Sequence, residues 1–219
     1  ISPLKRVSNN VIDADAHGVA AFNTSPEQRA LIHGADVSQW EQEAPKHARG
    51  KGTMSDRGLA GWVKAAHGKP AFVKTSIWPA GSMVPSNARE DETEGTFHNV
   101  ARDVFGLGQY VPTTAVFDHP ATGKRHSIQE GVPYAQHVSK PLTAKHKKIF
   151  DKIADRGDLD KLALMDGIMG SSDRHRENYV MSRTGLHLID NSAMYALNDH
   201  SMPHYWESHY GPDGLRSNI

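Results

Sequence analysis

The alternation of apolar and polar residues predicts pairs of short strands from residue 59 onward. Each pair consists of two apolar runs of strand length separated by a turn that contains glycine, which is typical of β-hairpins. The predicted pairs are 59–64 with 70–77, 111–117 with 127–131, and 178–181 with 186–189. Before residue 59 the pattern is weaker, and the polar, basic stretch 41–58 predicts a loop.

Helices are predicted where apolar residues recur every three or four positions behind a polar cap. Along the helix that Ser86-Asn87 caps, Glu94, Phe97 and Ala101 share one face. The predicted helices begin near residues 26, 87, 143 and 158, the last with Asp158 as its cap. The order of strands and helices predicts an α+β fold with two lobes joined near residues 130–133.

Composition narrows the function classes. The 219 residues include 25 Lys plus Arg and 25 Asp plus Glu, so no global charge attracts nucleic acid. The absence of cysteine excludes disulfides and thiolate metal sites. No apolar run approaches the roughly 20 residues of a membrane span, so we expect no integral membrane association and a cytoplasmic location. Because the chain starts at Ile1, we expect a processed chain or a fragment.

Three polar residues near the end of the chain carry the candidate chemistry. Asp173 and Asn178 follow an apolar helix, and Asp190 ends the last predicted strand. Phosphoryl transfer uses one carboxylate to orient the acceptor hydroxyl, and an amide oxygen with a second carboxylate to hold Mg²⁺ on the phosphates. A short hairpin between Asn178 and Asp190 would return both side chains to one point. The pattern therefore predicts nucleotide and metal chemistry.

The segments Asp173-Arg174-His175-x-x-Asn178 and Leu188-Ile189-Asp190 resemble the catalytic and metal-binding loops of phosphatidylinositol 3- and 4-kinases. Similar loops occur in related atypical kinases of bacteria and phages and, more loosely, in HipA-type protein kinases. The resemblance implies that Asp173 is the catalytic aspartate and that His175 makes a structural or transition-state contact. It also implies that Asn178 and Asp190 bind Mg²⁺, with ATP as the nucleotide.

The resemblance extends to residues earlier in the chain. Lys74, at the end of an apolar strand, and Glu94, on the following helix, resemble the pair that positions the α- and β-phosphates in kinases, and Lys74 is thereby a catalytic candidate too. Glu92 is the rival of Glu94, because the phase of the helix decides which carboxylate faces Lys74. The backbone groups of Glu130 and Val132 would bond the adenine edge.

No Gly-x-Gly-x-x-Gly motif precedes Lys74. In its place, the loop 50–55 offers amides and the Ser55 hydroxyl to cover phosphates, although a flexible linker explains the same residues. The resemblance implies a protein-kinase-like fold with an antiparallel sheet in the N-lobe and a small, truncated helical C-lobe. Its expected divisions are an N-terminal extension and loop at 1–58, the N-lobe with its hinge at 59–133, and the C-lobe at 134–219.

The expected function is an ATP- and Mg²⁺-dependent kinase that phosphorylates a protein hydroxyl, ahead of a lipid or a small molecule. Only 29 residues follow Asp190, which is short for an activation segment and substrate platform. The alternative is a pseudokinase or nucleotide-binding interaction module, and a part of a larger phage-type assembly is a further possibility. The acceptor stays open at this point.

Overall fold

The structure is a computed structural model that describes residues 11–37, 60–65, 68, 70–75, 90–138, 142–171, 174 and 176–191. It has five α-helices and seven β-strands within these ranges. The helices are α1 Ala14–His17, α2 Pro26–Ile32, α3 Glu90–Asp103, α4 Ala144–Asp155 and α5 Asp158–Met169. The strands are β1 Ala60–Lys64, β2 Pro70–Thr75, β3 Thr114–Asp118, β4 Arg125–Glu130, β5 Gln136–His137, β6 Tyr179–Met181 and β7 Leu186–Leu188.

Strands β1 to β4 form one antiparallel sheet in the order β1-β2-β4-β3. Val73 lies opposite Ile128, and the next residue, Lys74, lies opposite Ser127. Because successive side chains of a strand point to opposite faces, this register sends Val73 and Lys74 to different sides of the sheet. One face of the sheet is therefore apolar at a position where the other presents a lysine.

The apolar face is covered by residues 11–37. Ile12, Leu31 and Ile32 from this segment are buried with Val73 and Ile128 in one hydrophobic cluster. Helix α2 begins at a capping box in which Ser25 and Gln28 exchange hydrogen bonds. Residues that the sequence pattern left weakly defined thus supply about half of this cluster.

The same segment covers the edge of the sheet that β3 forms. The Asn23 amide accepts a hydrogen bond of 2.8 Å from the Val116 N–H and donates one of 2.7 Å to the Val116 carbonyl. Gly18 forms an isolated antiparallel bridge with Phe117, the next residue of β3. The Asn23 side-chain amide therefore pairs with this edge strand as a neighbouring strand would. Without such a partner, the backbone groups of an edge strand are open to pairing with another chain.

Helix α3 packs against the other face of the sheet. Gly95 lies so close to β3 that a Cβ atom on it would be 2.6 Å from Val116 Cγ2. Further along α3, Phe97 and Ala101 are fully buried and belong to a second hydrophobic cluster, which also contains Leu162 of α5. Helix α3 therefore links the four-stranded sheet to the helices that follow it.

The second cluster is built by α4, α5 and the small antiparallel sheet β5-β6-β7. Helix α4 starts one residue after the predicted first residue, Thr143, which is its N-cap and whose hydroxyl accepts from the His146 N–H. Helix α5 starts differently from the prediction. Its N-cap is Gly157, which has a left-handed conformation, and Asp158 is buried and accepts a 2.5 Å hydrogen bond from the Tyr110 hydroxyl. The predicted capping role of Asp158 was wrong because this tertiary contact takes its carboxylate.

The predicted α+β class and the three predicted hairpins are confirmed. Within the described ranges, no helix combines the length and the apolar character that crossing a bilayer requires.

Acid should destabilise the fold through His98 of α3. Burial, and secondarily the Arg102 charge, lower the pKa of His98 to about 4 from its ordinary value of 6.5. The unfolded chain therefore takes up this proton first, so stability contributed by neutral His98 is lost as the pH falls from about 6.5 towards about 4. Urea unfolding at several pH values across this window should show that the free energy of unfolding falls less steeply with decreasing pH in His98→Gln than in the wild type. Equal slopes in the two proteins would contradict this assignment.

Candidate functional site

Lys74 lies next to the end of β2, on the face of the sheet that α3 covers. Its ammonium lies 2.6 Å from Glu94 Oε1 on α3 and 2.6 Å from Asp190 Oδ1, which follows β7. The lysine side chain is one-fifth exposed, Glu94 is buried and Asp190 is half-exposed. Three residues that are far apart in the sequence thus converge at one point, and solvent reaches this group at the half-exposed Asp190.

The electrostatics of this group follow from burial and charge. Burial lowers the pKa of Lys74, but the charges of Glu94 and Asp190 outweigh it and hold that pKa above its ordinary value. Burial raises the pKa of Glu94, and the Lys74 ammonium opposes this shift. Lys74 is therefore a fixed positive charge, suited to holding an anionic oxygen and unsuited to accepting a proton.

Helix phase decides between the two candidate carboxylates of α3. Glu94 faces Lys74, whereas Glu92 forms an ion pair with Arg125 of β4. Arg125 also binds Asp118 across the β3–β4 hairpin, with 2.9 Å between Nε and Oδ1. The rival assignment of Glu92 as the partner of Lys74 was wrong, because two positions on a helix turn a side chain by about 200°.

Arg174 holds the surroundings of Asp190 in place. Its guanidinium is almost fully buried and forms a bidentate pair with Asp166 of α5, at 2.9 and 3.1 Å. The remaining donors bind the Ile189 carbonyl at 3.0 Å and Asn191 Oδ1 at 2.6 Å. These two acceptors flank Asp190 in the sequence. One arginine therefore ties the loop between α5 and β6 to both neighbours of Asp190.

Aromatic rings complete this environment. The guanidinium carbon of Arg174 lies 5.4 Å from the ring centre of Phe97 on α3 and 5.5 Å from that of Tyr179 on β6. Both distances fall in the range in which a cation is attracted to an aromatic ring. The arginine thus contacts α3 as well as α5, close to the helix face that presents Glu94.

Asn178 and Asp190 occupy adjoining backbone positions. The Ile189 N–H donates to the Asn178 carbonyl at 3.0 Å, which places Asp190 one residue beyond this contact. Asn178 is buried, and Asp190 has a left-handed backbone with φ of 55°. Such a conformation is uncommon for a residue with a side chain and is found mostly at turns and functional sites. The predicted metal ligands are therefore brought near each other by the β6–β7 hairpin.

The predicted hinge follows β4 directly. The Glu130 N–H donates to the Thr113 carbonyl at 2.8 Å, and the Gly131 N–H donates to the Pro70 carbonyl at 2.9 Å. A Cβ atom on Gly131 would lie 2.8 Å from Pro70 O and 2.9 Å from the Trp62 ring, so only glycine fits here without a shift. Val132 is half-buried beyond this constriction.

Three predicted site residues, Asp173, His175 and Ser55, lie outside the residues that the structure describes. The sequence reasoning missed Asp166, the buried partner of Arg174. A usable signal existed, since Asp166 interrupts the otherwise apolar run 162–169, and a carboxylate on a buried helix face requires a partner.

Within the described part of the chain, no three or more His, Cys, Asp or Glu side chains converge as a metal-binding group. The predicted ligand pair contains one asparagine and one aspartate. No protein-family model matches the chain, and no curated protein matches it significantly. The resemblance to the phosphatidylinositol kinases therefore stays a prediction that rests on the residues.

Removing the Arg174 guanidinium should cost far more stability than removing an exposed one. Arg174→Met removes the guanidinium that binds the buried Asp166 carboxylate, and breaking such a pair costs about 3–5 kcal/mol. Arg183, which is exposed in the β6–β7 turn over the Tyr134 ring, is the matched control. Arg183→Met should cost about 1 kcal/mol or less. Urea unfolding of both variants tests this, and equal losses would overturn the central role of Arg174.

Proposed function

We propose that the chain is an ATP- and Mg²⁺-dependent phosphotransferase with a kinase-like site. The observation that carries the proposal is the ammonium of Lys74 within 2.6 Å of carboxylate oxygens from both α3 and the loop after β7. In kinases, a lysine on a strand is paired with a helix glutamate and holds the nucleotide phosphates. The burial of Glu94 and the raised pKa of Lys74 suit that role.

The arrangement of the two hydrophobic clusters supports a two-lobed, kinase-like fold. One cluster joins residues 11–37 to the four-stranded sheet, and the other joins α4, α5 and the small sheet. The chain passes from β4 towards the second cluster through residues 130–133, which is where a hinge would lie. In this proposal the adenine edge bonds the backbone of Glu130 and Val132, beside the constriction at Gly131.

The donor set at Asn178 and Asp190 fits Mg²⁺. An amide oxygen and a carboxylate are hard ligands, and Mg²⁺ in phosphoryl-transfer sites takes only one or two protein ligands together with water and phosphate oxygens. When bound, the ion would neutralise charge on the phosphates. Arg174 keeps the backbone on both sides of Asp190 fixed, and Lys74 orients the Asp190 carboxylate. Asp173 would orient the acceptor hydroxyl, with His175 as a further contact.

The acceptor in this proposal is a protein hydroxyl. The chain carries equal numbers of acidic and basic residues, so no overall positive charge favours an anionic lipid surface.

Two neighbouring carboxylates of α3 give a matched test of the site. Glu94→Gln removes the charge that faces Lys74, whereas Glu92→Gln makes the same chemical change at the pair with Arg125. We expect Glu94→Gln to lower the rate of phosphate transfer from ATP about tenfold or more, and Glu92→Gln to leave it within about twofold. Radiolabelled γ-phosphate transfer to the chain or to an added protein measures this, and equal rates in both variants would refute the role of Glu94.

Ligand binding and turnover separate an active kinase from a nucleotide-binding module. ATP with Mg²⁺ should raise the melting temperature of the wild type, since a ligand at about 100 times its Kd stabilises the folded state by about 2.7 kcal/mol. Asp190→Asn should abolish phosphate transfer. Stabilisation by ATP without any transfer in the wild type would identify a binding module, and the absence of both responses would refute nucleotide chemistry at this site.

A further inference from the structure

A second face of helix α3 contacts residues 22–28 rather than Lys74. Gly95, Asn99 and Arg102 follow the i, i+4, i+7 spacing that places side chains on one stripe of a helix. A Cβ atom on Gly95 would lie 3.4 Å from Phe22 Cβ, and the Asn99 amide donates to the Phe22 carbonyl at 2.8 Å. The stripe is in contact with this segment along two turns of the helix.

Gln28 is the centre of this contact. Its side chain is fully buried, and its amide nitrogen lies 2.9 Å from Asn99 Oδ1 and 2.7 Å from the Thr114 carbonyl of β3. Its oxygen accepts from the Ser25 N–H at 3.0 Å and from Arg102 at 3.2 Å. One amide thus joins α2, α3 and β3, and a buried amide with directional partners on three elements permits little relative movement of them.

A further hydrogen bond joins the last turn of α3 to the same segment. Arg102 donates to the Thr24 hydroxyl at 2.7 Å. Residues 22–28 therefore hold α3 at Gly95, Asn99 and Arg102, while Glu94 on the neighbouring stripe faces Lys74. Because side chains on a helix turn together, the contact that fixes the stripe of Asn99 also fixes the direction of Glu94.

We propose that Gln28 is a positioning residue for Glu94. Together with Asn99, it holds α3 at the rotation at which Glu94 meets Lys74, so that residues 22–28 act as a built-in support of the phosphate-binding pair. The consequence for phosphate transfer rests on the proposed function, whereas the effect on the Lys74–Glu94 pair does not. Loss of the support lets Glu94 withdraw, so that the Lys74 amine loses one of its two carboxylate contacts and becomes more accessible to a reagent in solution.

The test measures the pair directly, through the reactivity of Lys74. The purified chain of 219 residues is treated briefly with an amine-acetylating reagent, and mass spectrometry of peptides gives the rate at Lys74 relative to the exposed Lys145 and Lys148 of α4. Gln28→Met, which keeps the length of the side chain without its amide, should raise the relative rate at Lys74 about threefold or more, because local loosening of the pair exposes the amine. Asn99→Ala, which breaks the contact from the helix side, should do the same.

Ile153→Ala is the control for general destabilisation, since Ile153 is buried on α4, which packs on α5. It should lower the melting temperature at least as much as Gln28→Met and leave the relative rate at Lys74 unchanged. If all three variants raise this rate in proportion to their loss of stability, the positioning role is overturned. If Gln28→Met and Asn99→Ala both leave the rate at the wild-type level, it is overturned as well.

Phosphate transfer separates this proposal from the proposed function. If the chain transfers phosphate, Gln28→Met should lower kcat about tenfold while Ile153→Ala retains it below its melting temperature. If the wild type transfers none but Lys74 reactivity rises in Gln28→Met and Asn99→Ala only, the support of Glu94 stands and the kinase assignment fails.

Discussion

The buried guanidinium of Arg174 is the interaction on which the arrangement of the site depends. It meets the Asp166 carboxylate of α5, the backbone next to Asp190 and the aromatic rings of α3 and β6. Taking this charge out of water is costly, and only a set of partners as complete as this one offsets that cost. The bonds of Arg174 therefore specify how these elements are placed relative to one another. A different arrangement of this helix, hairpin and loop would break the bonds of Arg174 to Asp166, Ile189 or Asn191.

Lys74 connects the residues that Arg174 positions to the four-stranded sheet. Its ammonium bridges Asp190, whose neighbours Arg174 holds, and Glu94, whose helix is held from the other side by residues 22–28. The lysine itself is fixed by strand alternation, which turns it towards α3. A different part of the fold therefore positions each charged group. Strand β2 positions Lys74, helix α3 positions Glu94, and the contacts of Arg174 position Asp190. A site of this kind needs no rigid loop, because the constraints come from packed elements on several sides.

The convergence of Lys74 with a carboxylate of α3 was expected from the resemblance to kinases, and the strands and their pairing could be predicted from the sequence, because strand alternation and turn residues are local properties. The choice between Glu92 and Glu94 could not, since it depends on how α3 is rotated about its axis. That rotation is set by Phe22, Gln28 and Val116, which are distant in the sequence. Asp158 shows the same limit. Its local pattern indicated an N-cap, whereas in the structure its carboxylate accepts a hydrogen bond from Tyr110, which is distant in the sequence.

The bond between Asn23 and Val116 has a consequence for the order of folding. It joins residues 93 positions apart, and contacts of such separation form late because closing a long loop costs entropy before any bond is gained. Strand β3 can pair with β4 through a short turn well before that bond exists. During this interval its outer edge is open, so the partly folded state in which residues 11–37 have not docked is the one most prone to associate with a second molecule.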